Sequence, residues 1–224
     1  MSRFVHLHVH SHYSLLDGLT KIKPLVKAAK ERGFEALALT DTGAMYGAIE
    51  FYRVCLDHGV KPILGFEASI APRSRFDKDP TLDKTAHRLV LLAENYTGYR
   101  NLMRLSSLGA TEGLFQGKPR IDRELLAAHH EGVIALSGGM LGDVGDLIRQ
   151  GKIEAARTAA GTYRKIFGPE HFYLELQDHP AIPGQIDLNT KLIELSRDTD
   201  IPLVVTRDVH YLNAEDAEAQ DILT

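Results

Sequence analysis

The sequence predicts a single α/β barrel assembled from βα units. Seven short apolar runs of strand length recur along the chain, helical periodicity fills the stretches between them, and no Ser/Gly linker or charge block divides the 224 residues. Seven strands with helices between them favour a closed or nearly closed barrel over an open two-layer sheet.

The first strand, Phe4 to His10, opens a strict alternation: Phe4-Val5-His6-Leu7-His8-Val9-His10-Ser11-His12. Successive side chains of an extended chain point to opposite faces, so His6, His8, His10 and His12 are expected on one face and Val5, Leu7 and Val9 buried on the other. A purification tag would be unbroken histidine, whereas this run is laced with core-type residues. A helix is expected around Lys23 to Lys30, with Thr20 as its cap and Gly33 as its stop. Further strands are expected at Ala36 to Thr40, Pro62 to Ile70, Arg88 to Ala93, Val133 to Ser137, Phe172 to Glu175 and Leu203 to Thr206. Apolar stripes at helical spacing run through Tyr46 to His58, Asn95 to Gly109, Asp122 to His130, Met140 to Arg149, Lys152 to Phe167 and Ile186 to Asp198. The proline- and charge-rich stretch Ala71 to Pro80 reads as a mobile excursion, and Gly113 to Arg120 as an irregular link between two helices. Asp216 to Thr224 reads as a helix cut off while still amphipathic, so residues 1–224 are expected to be one domain of a longer chain.

Bulk properties narrow the function. A hydrophobic content of 44% and a charged content of 25% are those of an ordinary soluble domain. The net charge of -4 argues against a domain that holds nucleic acid by phosphate neutralisation alone. The one cysteine, Cys55, excludes a disulfide framework and a thiolate-rich zinc site, and is expected in the core. No apolar run approaches the ~20 residues of a membrane span, so a cytoplasmic protein without a membrane role is expected.

In a parallel barrel, functional groups gather where the βα loops open, at the carboxyl ends of the strands. His8 and His10 end the first strand, Asp41 the second and Asp208-Val209-His210 the last, while Glu67 lies late in the third. Imidazoles at i and i+2 on a rigid strand can reach one ion without rearrangement. Asp208 and His210 repeat that spacing, although Asp208 could also be a mere cap for the next segment of chain. Glu67, in an otherwise apolar strand, is either turned outward into solvent or bound to a cation. Asp17, before Gly18, reads by itself as a turn residue. His87 precedes its apolar run and lies at the wrong end of a parallel strand for the rule.

Phe4 to Ser11, Tyr13 to Gly18, Ala38 to Asp41, Gly47 to Tyr52, Lys61 to Glu67, Asn95 to Leu102 and Asp208 to Leu212 together resemble the PHP (polymerase and histidinol phosphatase) domain. They look most like the PHP domains at the N-terminus of bacterial DNA polymerase III alpha subunits. The resemblance covers nearly the whole chain and implies a distorted seven-stranded βα, TIM-like barrel. It also implies a divalent metal cluster, of zinc or manganese, at His8, His10, Asp17, Glu67, His87, Asp208 and His210. Two positions depart from the pattern: Thr42 stands where Thr-Asp-His-Gly has its histidine, and Gly139 stands where a cysteine or histidine ligand is usual. One ion at His8, His10, Glu67 and Asp208 is expected to survive, while two further sites each lack a ligand; no catalytic residue is assigned.

The resemblance implies three functions. The first is a structural module of the replicase that supports the polymerase core of the same polypeptide, docks the proofreading exonuclease and meets DNA only within the full polymerase. The second is an active metal-dependent 3′ to 5′ exonuclease. The third, disfavoured by the polymerase-like flanks, is a free-standing phosphatase of the histidinol phosphate type. Two protein ligands hold zinc weakly, so a two-metal clamp on a phosphodiester is doubtful.

Overall fold

A computed structural model describes residues 4–223. Its one sheet has six strands in sequential order: β1 (Ala36–Leu39), β2 (Lys61–Ile70), β3 (His87–Ala93), β4 (Val133–Leu136), β5 (Phe172–Gln177) and β6 (Leu203–Thr206). The helices are α1 (Ile22–Glu31), α2 (Ala48–His58), α3 (Tyr96–Thr111), α4 (Arg123–Ala128), α5 (Asp143–Arg149), α6 (Ile153–Phe167), α7 (Gln185–Thr199) and α8 (Ala217–Leu223). Residue 224 of the truncated-helix expectation lies outside the described residues.

The first expected strand is not a regular one. It is a bent segment joined by isolated bridges, His6 to Leu37 beside β1 and Val9 to Val209 just beyond β6. Ala38 N–H donates to His6 O at 2.9 Å, and His10 N–H donates to Val209 O at 2.8 Å. The segment thus stands between the two ends of the sheet and curls it into a distorted seven-membered barrel. Apolar side chains from around the ring meet inside it: Ala38, Val90, Leu92 and Leu136, with Leu7, Ile63, Tyr173 and Val204. The helices cover the outside, α1 and α2 over one cluster around Phe51 and Val26, and α3 to α7 over a larger one around Leu91, Leu102 and Tyr163.

Three further expectations are corrected. The sheet is not all parallel, because β3 runs antiparallel to both β2 and β4. A parallel return needs a crossover, usually a helix, and residues 71–86 between β2 and β3 contain none. Thr20 does not cap α1: Lys21 holds that position without a side-chain bond, and the Thr20 carbonyl instead accepts from His12 N–H at 2.9 Å. Residues 71–80 form no loose excursion. Arg75 of that loop lies beside Asp122 at 3.0 Å, and Arg73 donates to the buried Asp83 carboxylate through Nε at 2.9 Å and Nη2 at 2.6 Å. Arg120 donates to the carbonyls of Asp77 and Asp83 at 2.8 and 3.0 Å, so the loop is tied down along its length.

The wall of four histidines also divides. A bend at His8 breaks the alternation, so Leu7 joins the barrel interior and Val9 the outer layer under α1. His6 packs edge-on to Phe34 at 5.0 Å and His12 lies against Tyr13 at 4.3 Å, which leaves only His8 and His10 directed inward together.

Candidate metal centre

His8 and His10 are fully buried at the mouth of the barrel, and each is oriented from behind. His8 Nδ1 donates to Glu175 Oε1 at 2.8 Å, and Thr206 Oγ1 donates to the same oxygen at 2.6 Å. Ser14 Oγ donates to Asp41 Oδ1 at 2.7 Å, which leaves its lone pairs to accept from Thr42 N–H and His10 Nδ1–H, both at 3.0 Å. His210 Nδ1 donates to the Asp17 carbonyl at 2.7 Å, and its ring stacks on His10 at 4.3 Å. Pinning Nδ1–H in this way fixes the tautomer and turns the Nε2 lone pair of all three rings to one place.

Two carboxylates stand at that place. Asp208 Oδ1 lies 3.3 Å from His8 Nε2, 3.2 Å from His10 Nε2 and 3.1 Å from His210 Nε2, and Glu67 Oε2 lies 3.2 Å from His8 Nε2. Asp208 is held there with φ +44°, a conformation that costs a residue bearing a Cβ and that persists only where its surroundings impose it. Acceptors facing acceptors require protons or a cation between them. The donor set fits a cation: spacings of 3.1 to 3.3 Å match the separation of about 3.3 Å between neighbouring ligands around a tetrahedral ion bound at about 2.0 Å. Among the described residues, two groups of three have ligand atoms within 4.8 Å of one another, His8 with His10 and Glu67, and His10 with Asp208 and His210.

The electrostatics carry the same imprint. Burial by itself would strip His8 of its proton, yet the Asp208 and Glu175 carboxylates hold its pKa well above the ordinary imidazole value. Burial would likewise raise Asp208, but His8 and His10 keep it well below the usual carboxylate range. Glu67 is lowered against burial by His8, His10 and Arg88, and His210 is raised against burial by Asp208 and Asp17. Protons therefore do in the metal-free cluster what a divalent ion does when it displaces them.

Two expected ligands stand apart. The Asp17 carboxylate is at the rim, accepting from Thr42 Oγ1 at 3.0 Å and lying 3.5 Å from His210 Nδ1. His87 is removed from the cluster by register. Residues directly opposite in an antiparallel pair share a face, and His87 is opposite Ile70 whereas Glu67 is opposite Val90. His87 therefore faces the outer layer with Ile70 and Leu89, and its neighbour Arg88 takes the inner face. Arg88 Nη1 lies 3.0 Å from Glu67 Oε1 and donates to Glu67 Oε2 at 3.2 Å. Because β3 runs backwards, its first residues reach the rim where the other strands end, which is why Arg88, at the start of the apolar run, belongs to the site at all.

Arg88, Glu175, Gln177 and Ser14 escaped the sequence reading, whereas Asp41 is one of the groups it expects at the strand ends. Glu175 carried the same signal as Glu67, a carboxylate inside an apolar strand, Phe172-Tyr173-Leu174-Glu175-Leu176-Gln177. Gln177 donates to Asp208 Oδ2 at 3.2 Å and fills the space beside Gly139, where an added Cβ would come within 2.8 Å of Gln177 Nε2.

The family model of the PHP domain matches residues 6–179. The chain belongs to the PHP family. It is 50% identical over 221 residues to DNA polymerase III subunit alpha of Treponema pallidum, an alignment that covers 98% of this chain and 19% of that protein. With DNA polymerase III subunit alpha of Thermus aquaticus it is 43% identical over 225 residues, covering 99% and 18%. This PHP chain thus spans about a fifth of the length of the curated relatives it matches. Among solved structures, one described as a metal-dependent phosphoesterase from Bifidobacterium adolescentis superposes with a TM-score of 0.55 at 13% identity, over 92% of this chain and 87% of that one. An amidohydrolase from Chromobacterium violaceum, solved with sulfate and no metal, superposes with a TM-score of 0.55 at 14% identity, over 98% and 96%. These two likenesses establish the shared fold. No helix among the described residues is long and apolar enough to cross a membrane.

Proposed function

We propose that residues 1–224 form the N-terminal PHP domain of a bacterial replicative DNA polymerase III alpha subunit, and that the domain acts there chiefly as a structural module stapled by one divalent ion. The ligands of that ion are His8, His10, Glu67 and Asp208, with His210 closing over it; zinc or manganese suits the mixed imidazole and carboxylate set. Asp17 belongs to the rim that holds His210, and His87 has no part in the cluster.

The ligands' place in the fold carries this reading. His8 and His10 lie on the segment between the sheet's two ends, Asp208 comes after β6, and Glu67 is on β2, so one ion joins β2 to the first segment and to the chain after β6, two parts that an isolated bridge links at Val9 and Val209. A bound divalent ion also polarises phosphoryl oxygens and lowers the pKa of a coordinated water, but efficient phosphodiester hydrolysis profits from a pair of ions. Here Gln177 fills the space at Gly139 and Thr42 offers a hydroxyl where the family has an imidazole. Supporting the polymerase core of the same polypeptide, docking a proofreading exonuclease and meeting DNA only within the polymerase, in the cytoplasm, are inferred from the kinship with the alpha subunits.

The experiment compares the chelated chain with the chain reloaded by zinc or manganese. An ion present at 100 times its Kd stabilises by about 2.7 kcal/mol, which corresponds to roughly 5–11 °C in Tm. One bound equivalent, a gain of that size and no turnover of single-stranded DNA support the structural role. The convergence of the three Nε2 atoms favours a second reading, a metal-dependent 3′ to 5′ exonuclease. Hydrolysis abolished by both His8→Ala and Asp208→Asn would establish it and overturn the first.

A further inference from the structure

The cation already built into this centre is a side chain. Arg88 projects from the start of the reversed strand β3 into the mouth, where Nη1 lies 3.0 Å from Glu67 Oε1 and Nη2 lies 3.9 Å from Asp17 Oδ2. Its two carboxylate neighbours are the pair that a second ion beside the first would need, since Glu67 Oε2 already faces His8. A guanidinium stays charged at every pH the fold survives, so it neutralises the Glu67 carboxylate permanently, donating to Oε2 at 3.2 Å with Oε1 close by. Arg88 is 28% exposed while Glu67 is 1% exposed, so the guanidinium lies between the buried carboxylate and solvent.

We propose that Arg88 is a covalently attached substitute for a second metal ion and is the residue that limits this centre to a single divalent ion. The inference rests on the one-ion reading of His8, His10, Glu67 and Asp208 given above. It assigns to Arg88 a selection of stoichiometry: charge neutralisation of Glu67 and Asp17 is kept, while the water-activating capacity of a second ion is given up, because a guanidinium has no open coordination position. Such a centre retains its cross-link between segments and loses the two-ion clamp.

The test is metal stoichiometry, with no reference to catalysis. The purified chain and its Arg88→His and Arg88→Lys variants are equilibrated with Zn2+ or with Mn2+, and bound metal is counted by elemental analysis after dialysis. One equivalent in the wild type and in Arg88→Lys, against two in Arg88→His, is the expected result. One equivalent in a natively folded Arg88→His, or two in the wild type, overturns the proposal. Zero equivalents in all three chains overturns the one-ion reading itself, an outcome distinguishable from the failure of Arg88 alone. Should Arg88→His not fold, Arg88→Gln removes the charge with a neutral side chain. Calorimetric titration of that variant with Mn2+ is expected to show a second binding step that the wild type lacks, and a single unchanged step overturns the proposal.

Discussion

Restoring a ligand at position 139 is the obvious repair of the cluster, and the structure makes it costly in a way that can be apportioned. Gly139 has φ +54°, where a residue bearing a Cβ costs roughly 1–2 kcal/mol. Its added Cβ would also press on the carboxamide of Gln177, a buried side chain that donates to the Asp208 carboxylate at 3.2 Å. Displacing that carboxamide forfeits a hydrogen bond to a charged group, about 1.5–3 kcal/mol. Gly139→Ala is therefore expected to lose roughly 2.5–5 kcal/mol in urea unfolding. In a Gln177→Ala background the second part of the cost disappears, so a double-mutant cycle is expected to show a coupling of about 1.5–3 kcal/mol. Gly138→Ala is the control: its Cβ would lie 2.7 Å from the Arg88 carbonyl carbon, which is backbone, and the Gln177 truncation is expected to give it no relief. Additivity of Gly139→Ala and Gln177→Ala within about 0.5 kcal/mol would refute the reasoning.

Three other outcomes are expected from the same geometry. In chelator, the raised pKa values of His8 and His210 contribute stability that is whole below about pH 6.5 and is lost as pH rises through them, while the lowered values of Asp208 and Glu67 contribute above about pH 4 and lose it in acid. The metal-free chain should accordingly melt highest between about pH 4 and 6.5, with zinc removing the alkaline decline; a Tm in chelator that climbs from about pH 6 to 9 contradicts this. Ser14→Ala leaves His10 Nδ1, Thr42 N–H and Asp41 Oδ1 each short of a partner, and is expected to weaken metal binding about 10–100-fold by calorimetry, with an unchanged Kd telling against the orienting role. Burial pushes the Cys55 thiol up to about 12, so alkylation at about pH 8 should wait on unfolding, and rapid labelling of the native chain would show the site to be open.

The residues that bind their own surroundings were legible in the sequence. Apolar runs marked every regular strand, and the stripes expected from Asn95 and from Asp122 hold α3 and α4, whose caps those two residues form by accepting from Gly98 N–H and Leu125 N–H. Spacing i, i+2 marked His8 with His10 and Asp208 with His210, because residues so close in sequence are held together by the backbone itself. A bend still redirected His6 and His12, since alternation holds only while the chain stays extended.

Relations between distant segments needed the tertiary structure. The reversal of β3 is invisible to a pattern of period two, which reads the same in either direction. That reversal and its register decide that Arg88 faces Glu67 and that His87 does not, because a slip of one residue exchanges the two faces of a strand. The same holds for Gln177 beside Gly139, and for Glu175, whose bonds to Ser137 and His8 span 38 and 167 residues of chain. Chemical type is written in the chain; which charges stand about 3 Å from one another is settled only when separate strands choose direction and register.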